Sequence, residues 1–410
     1  MIISTDSRIV KNGRAEGNVL GNGGMEQMPK ISKPMNSGLS KKFGAVIAAS
    51  ALAIAAASVG IARTPNKSGD GGSSKVLGMA FDGHQVSNLD NSIKYYEALG
   101  YPLLSRTDWN VDKVANALGG TPGAESRTAI INMPSSVSDK AFPLVLREYR
   151  GMDRKDWSGL SSSDLLSGHM DVTVKDDCNP VMDKLKSMGM LKVPQMNMPG
   201  GGGAQNGPRR FAFVQDPDGW FIELFAMMKP APGAPPEGPK VSNSTATQQN
   251  IDRLGKQEGF NHIGLNVIDP QKALAFYAGV LGGDYPPLEQ LLAPPPAPPA
   301  GATARPAGPR MTMMNGWFPQ ATTSNNVRLE LIAFPQPPGK DHPPDEHFQD
   351  INVNYVGFQV SDIDAVYGKA KADGAITVSE GGIVKVKDGR AVMLRDPDVG
   401  GFVELWEPSK

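Results

Sequence analysis

Four segments of this chain are built on one pattern: a short apolar strand, an Asp or Asn, an amphipathic run, then Gly. They read FDGHQVSNLDNSIKYYEALG, HMDVTVKDDCNPVMDKLKSMG, HIGLNVIDPQKALAFYAGVLG and YVGFQVSDIDAVYGKAKADG. A repeat of this length constrains the fold strongly, because each copy must be one supersecondary unit that buries its apolar face against another. Asn88, Asp176, Asp269 and Asp362 are the expected helix N-caps, spaced by 88, 93 and 93 residues. An Asp or Asn there accepts from free backbone N–H groups. Gly100, Gly189, Gly282 and Gly374 follow by 12 or 13 residues, where a helix ends in a left-handed residue.

Strand-like runs follow each predicted helix. Two copies end in QDPDGWFIELF (215–225) and RDPDVGGFVELW (395–406), a tight turn feeding a last strand. The other two end in FPLVLREY (142–149) and VRLELIAF (327–334). The unit is therefore strand, helix and about three strands. The Gly and Pro surplus sits between or within units, in 200–207, the linker 229–250 and the insertion 286–310.

Upstream, residues 43–62 run 20 positions without a charge, behind Lys41 and Lys42. This is the pattern of a signal peptide or an N-terminal anchor. The folded part is expected from about residue 75 and outside the cytoplasm. A net charge of −1 gives no reason to expect a nucleic-acid partner. The single Cys178 excludes an internal disulfide and any CxxC site.

A βαβββ unit with His on its opening strand, a helix ending FY…LG and a closing DPDGxxxEL strand resembles the vicinal oxygen chelate superfamily. That superfamily includes glyoxalase I, extradiol dioxygenases and bleomycin resistance proteins. The resemblance covers about residues 76–407. It implies an α+β fold, with four βαβββ modules forming two paired-module cups. In sequence order these fall into a leader (1–74), a first domain (75–228, modules 1 and 2), a linker (229–258) and a second domain (259–410, modules 3 and 4).

In that superfamily each module offers two metal-ligand slots, one on the opening strand and one on the closing strand. Here the opening slots, seven residues before each cap, hold Phe81, His169, His262 and Tyr355. The closing slots hold Val145, Glu223, Glu330 and Glu404, with Glu148 replacing Val145 if the register slips. Pairing module 1 with 2 and 3 with 4 completes neither set. Pairing 2 with 3 gives His169, Glu223, His262 and Glu330, a complete set for one divalent ion such as Zn, Ni, Co, Fe or Mn. Fused glyoxalase-I-like chains use this inner and outer pairing. By the same resemblance, Glu223 or Glu330 would also be the catalytic base.

Other residues read more plainly. Glu404 is expected as a structural relic, and His84 as a packing residue on the opposite strand face. His342 and His347 are expected in a solvated loop, and Arg209 and Arg210 on a hairpin facing water. Trp220, Trp317 and Phe318 are expected as core or cup lining. The implied function is an exported, glyoxalase-I-like metal-dependent lyase or isomerase acting on a small metal-chelating oxygenated substrate. The alternatives are a non-enzymatic small-molecule binder of the bleomycin-resistance type and an extradiol-type dioxygenase. Tyr355 in a His slot counts against the last. Membrane contact is expected only through an uncleaved N-terminal anchor. Four modules can form both cups within a monomer.

Overall fold

The computed structural model describes residues 75–194, 211–226, 258–292, 311–321, 326–334, 339–341, 343 and 345–409. The leader 43–62, the loop 200–207, Arg209, Arg210, His342 and the linker 229–250 lie outside the described residues, as does most of the insertion 286–310. Among the described residues no helix is long and apolar enough to cross a membrane.

Module 1 comprises β1 (Val76–Gln85), α1 (Leu89–Ala98), β2 (Leu103–Arg106), α2 (Lys113–Gly119), β3 (Glu125–Met133) and β4 (Phe142–Arg150). Module 2 has β5 (Gly168–Val174), α3 (Asn179–Ser187), β6 (Phe211–Gln215) and β7 (Phe221–Ala226). Module 3 has β8 (Gly259–Val267), α4 (Pro270–Leu274), α5 (Leu288–Leu292), β9 (Thr312–Pro319) and β10 (Asn326–Ala333). A π-helical stretch, Ala275–Val280, continues α4. Module 4 has β11 (Asn354–Val360), α6 (Ile363–Ala372), β12 (Ile376–Thr377), β13 (Val384–Val386), β14 (Gly389–Arg395) and β15 (Phe402–Pro408).

The local signals act as their chemistry dictates at three of the four helix starts. Asn88, Asp269 and Asp362 cap their helices through side-chain oxygens. Asp176 does not. It sits in the left-handed region with φ 55°, and the helix begins three residues later. Asp177 takes the amide of Asn179 instead, at 2.9 Å. The Asp-Asp turn and Pro180 in the first helical turn shift the start. All four terminating glycines have positive φ.

The sheets join modules that are not sequence neighbours. The first runs β12-β14-β15-β11-β1-β4-β3-β2, with β13 on β14, and joins module 4 to module 1. The second runs β6-β7-β5-β8-β10-β9 and joins module 2 to module 3. We call them the outer and inner sheets. Each is sewn together by antiparallel pairing of two opening strands, β1 with β11 and β5 with β8. The boundaries 75–228 and 259–410 thus divide the sequence, while hydrogen bonding crosses that division.

Sequential modules meet through their helices. Tyr96 of α1 donates to Asp216 of the first DPD turn at 3.1 Å. The backbone N–H of Ser87 and the hydroxyl of Ser92 donate to Asp218. In the same way Tyr277 donates to Asp396 at 3.1 Å, and Asp398 accepts from the N–H groups of Ile268 and Asp269. The DPD sequence therefore turns the chain and anchors the preceding module's helix. Between helices and sheets lies an extensive apolar core that includes Leu89, Tyr95, Ile222, Phe276, Leu329 and Phe358. Full burial of such side chains contributes about 1.5–3 kcal/mol each.

Candidate metal centre

Alternation along a strand puts every second residue on one face, so register fixes what meets on the open face of the inner sheet. Two rows cross it. One is Phe213, Glu223, Asp171, His262, Arg328 and Trp317; the other is Gln215, Phe221, His169, Gly264, Glu330 and Asn315. His169, Glu223, His262 and Glu330 come together where the rows adjoin. The two His Nε2 atoms are 3.2 Å apart. His169 Nε2 lies 3.2 Å from Glu223 Oε2 and 3.5 Å from Glu330 Oε2. His262 Nε2 lies 3.4 Å from Glu330 Oε2. One donor atom from each of His169, Glu223 and His262 fits within a sphere of mutual separation 4.8 Å, close enough to share an ion.

The backbone makes room for this cluster. A Cβ at Gly264 would lie 1.9 Å from the His169 ring, so only glycine lets that imidazole lie across β8. The cluster is largely buried. His169 and His262 are each 5% exposed and Glu330 2%, whereas Glu223 is half-buried. Asn315 holds Glu330 through a 3.0 Å hydrogen bond. Asn261 places its amide oxygen 3.3 Å from His262 Nδ1, which orients the ring as a second-sphere partner does.

The electrostatics are those of closely placed imidazoles and carboxylates. Burial pushes His169 down, but hydrogen bonds and charges from Glu223 and Glu330 outweigh it and lift it to about 10. Burial and the Arg328 charge push His262 below its ordinary value. Burial raises Glu330, but the two imidazoles outweigh it and hold it well below the usual carboxylate range. Two imidazoles and two carboxylates are a donor set suited to a borderline divalent ion.

Sequence reasoning missed Asp171, Arg328, Asn315 and Asn261 around this centre. Asp171 stands two residues after the opening slot, where the other modules have Gly83, Gly264 and Gly357. That departure from the repeat was the available signal. Arg328, two before the closing Glu, was readable by strand alternation. Asn261 reaches the open face through a bulge that the sequence does not announce.

The corresponding face of the outer sheet is different. Val145 stands opposite Gly83 as Glu330 stands opposite Gly264, so Val145 occupies the slot. Glu148 turns to the helix side, accepting from the N–H of Leu89 and from Arg127. Phe81 and Tyr355 meet edge to face, and Phe348 inserts between Tyr355 and Phe402. Glu404 is 2% exposed on this face. His84 is 3% exposed on the opposite face, 2.9 Å from Asp82. Trp220 lies against His84 and Phe318 against Phe358, both in the core. Trp317 lines the inner face, and His347 is exposed.

No curated protein matches the chain. Among solved structures, glyoxalase I from Zea mays is similar at 20% identity, covering 80% of this chain and 92% of that one, with a TM-score of 0.47. The trypanothione-dependent glyoxalase I of Leishmania major is similar at 23% identity, over 36% of this chain and 85% of that one, with a TM-score of 0.24. TnmS3, an antibiotic binding protein from Streptomyces sp. CB03234, is similar at 17% identity, over 36% of this chain and 94% of that one, with a TM-score of 0.21. The family model for the Glyoxalase/Bleomycin resistance protein/Dioxygenase superfamily matches residues 259–400. Residues 259–400, which contribute His262 and Glu330 to the centre, therefore form a domain of that superfamily.

Proposed function

We propose that the chain is an exported metal-dependent lyase or isomerase of the glyoxalase I kind, acting on a small oxygenated substrate in the inner cup. The observation that carries this reading is the meeting of two imidazole nitrogens, 3.2 Å apart, with two carboxylates. His169, Glu223, His262 and Glu330 would hold one divalent ion. Such an ion would supply Lewis-acid polarisation of a substrate oxygen. Export is supported by the uncharged run 43–62 behind two lysines.

The protein's own residues divide the remaining work. Glu330 is deeply buried and tied to Asn315, so it is a fixed donor. Glu223 is half-buried, and its only hydrogen-bonding contact among the described residues is His169. It is the carboxylate with freedom to move, and we assign it the proton transfer between adjacent substrate carbons. The aromatic wall of Phe211 and Phe213 beside His169 keeps water from that flank. An extradiol-type centre would need a His at Tyr355, but Tyr355 belongs to the outer sheet and packs on Phe348.

Metal content tests the reading. Protein lacking residues 1–74, reconstituted with zinc, should hold about one ion per chain. His169→Ala and His262→Ala should each lose it. Retention of the ion in both variants would overturn the site.

A further inference from the structure

Two side chains in the inner cup have hydrogen-bonding capacity that no other described residue takes up. Asp171 is 3% exposed, and its Oδ1 has no hydrogen-bond partner among the described residues. It lies on the cup face between Glu223 and His262. Arg328 lies on the other side of His262 in the same row. Its Nη1 donates to Asn261 at 2.8 Å and its Nη2 to Asn315, and its guanidinium stands 5.9 Å from the Trp317 ring. A guanidinium has five N–H donors, so most of its fork remains open. Among the described residues no carboxylate is within ion-pair distance of it. Two amide oxygens and an aromatic face fix its orientation without neutralising its charge, a geometry suited to bidentate capture of a carboxylate.

The cup is also asymmetric about its pseudo-two-fold axis. Phe221 and Phe213 in module 2 stand where module 3 has Arg328 and Asn315. One flank is apolar and the other is polar and cationic, with donor atoms for a metal between them.

We propose that the inner cup takes a small hydroxy carboxylate with an apolar end. The carboxylate is read by Arg328, the hydroxyl donates to Asp171, and the apolar end lies against Phe211 and Phe213. This deepens the function proposed above and rests on it for the location of the substrate, but it is measured separately. An analogue without the hydroxyl leaves the buried Asp171 unpaired, and one without the carboxylate leaves the half-buried Arg328 uncompensated, which is the source of discrimination.

The test is calorimetric titration of zinc-loaded and metal-stripped protein with three compounds. These are 3-phenyllactate, its methyl ester, and 3-phenylpropanoate, which keeps the charge but lacks the hydroxyl. Wild type should bind phenyllactate about tenfold or more tightly than either analogue. Arg328→Met should abolish the preference over the ester and keep that over phenylpropanoate, and Asp171→Gly should do the reverse. Arg328→Lys, which keeps the charge without the fork, should fall between wild type and Arg328→Met. Circular dichroism confirms folding of each variant. The proposal is overturned if wild type does not discriminate, or if each substitution weakens all three compounds equally. Should the chain take up no zinc, the metal reading fails alone, and the same pattern in stripped protein would still support Arg328 and Asp171.

Discussion

The inner and outer sheets repeat one architecture with opposite contents. Both pair two opening strands back to back, and both flank that pair with closing strands. At equivalent positions the inner sheet carries His169, Glu223, His262 and Glu330, and the outer carries Tyr355, Glu404, Phe81 and Val145. Glycine is kept on both for the same steric reason. A Cβ at Gly264 would strike the His169 ring, and one at Gly83 or Gly357 would strike Tyr355 or Phe81. What changes is the ring laid across that glycine and what covers it. The outer face is closed by Phe348, Val353, Met393 and Phe402. The fold tolerates either a polar cluster or a packed aromatic one on the same floor. The backbone therefore specifies the cup, and a handful of side chains decide whether it remains one.

The largest effects should separate the two sheets cleanly. Phe348→Ala removes the side chain that fills the outer face and should lower unfolding free energy by about 3–5 kcal/mol, read by urea denaturation. Its zinc stoichiometry should not change. His262→Ala should show the converse, with zinc lost. If Phe348→Ala also removes zinc, the faces are coupled and the division of labour between them is wrong.

A second, smaller effect comes from protons. In metal-free protein His169 is held protonated up to about 10 by Glu223 and Glu330. That folded value lies above the ordinary 6.5, so its contribution to stability is full below about 6.5. It is lost as pH rises through about 10. Metal ligation needs the neutral imidazole, so zinc uptake at pH 8 should release about one proton. Calorimetry in two buffers of different ionisation heat measures it. Stripped protein should lose melting temperature between pH 8 and 10.5, and the zinc-loaded form should lose much less. Equal losses would mean that His169 is not the displaced proton carrier.

Much of this contrast was legible in the sequence. The strand-to-cap spacing aligned the opening slots of modules 1, 3 and 4, where a strand, a short turn and a capped helix have little freedom in length. In module 2 the same count started from Asp176, which does not cap. The closing slots followed from DPD and LEL spacing, and the Val145 register agrees with Glu330. The pairing of module 2 with module 3 could be inferred only from which slots kept His and Glu, since nothing local encodes which opening strands meet. Asp176 failed as a cap because an adjacent Asp and a proline compete for the turn. Phe348 was invisible as a plug, since it lies in a loop where no periodicity marks a buried residue.

The smallest effect tests whether the two helix anchors are as alike as their sequences. Tyr96 and Tyr277 each donate to the first Asp of a DPD turn at 3.1 Å. Their surroundings differ. Asp396 Oδ2 also receives the N–H of Gly401, so Tyr277→Phe leaves it partnered. Tyr96 is the hydrogen-bond partner of Asp216 Oδ2 and lies 3.3 Å from His84 Nδ1, with both groups buried. His84 in turn contacts Asp82, and these two stand where module 3 has the apolar Ile263 and Leu265. Tyr96→Phe therefore strips partners from two buried polar groups and should cost about 1–3 kcal/mol. Tyr277→Phe, which loses a single hydrogen bond, should cost about 0.5–1.5 kcal/mol. Urea midpoints at pH 7 with unchanged slopes give the difference. If Tyr277→Phe proves the costlier, the polar chain from Asp82 to Asp216 is not what holds module 1 onto module 2, and the aromatic packing of Tyr95, Tyr96 and Trp220 must carry that junction.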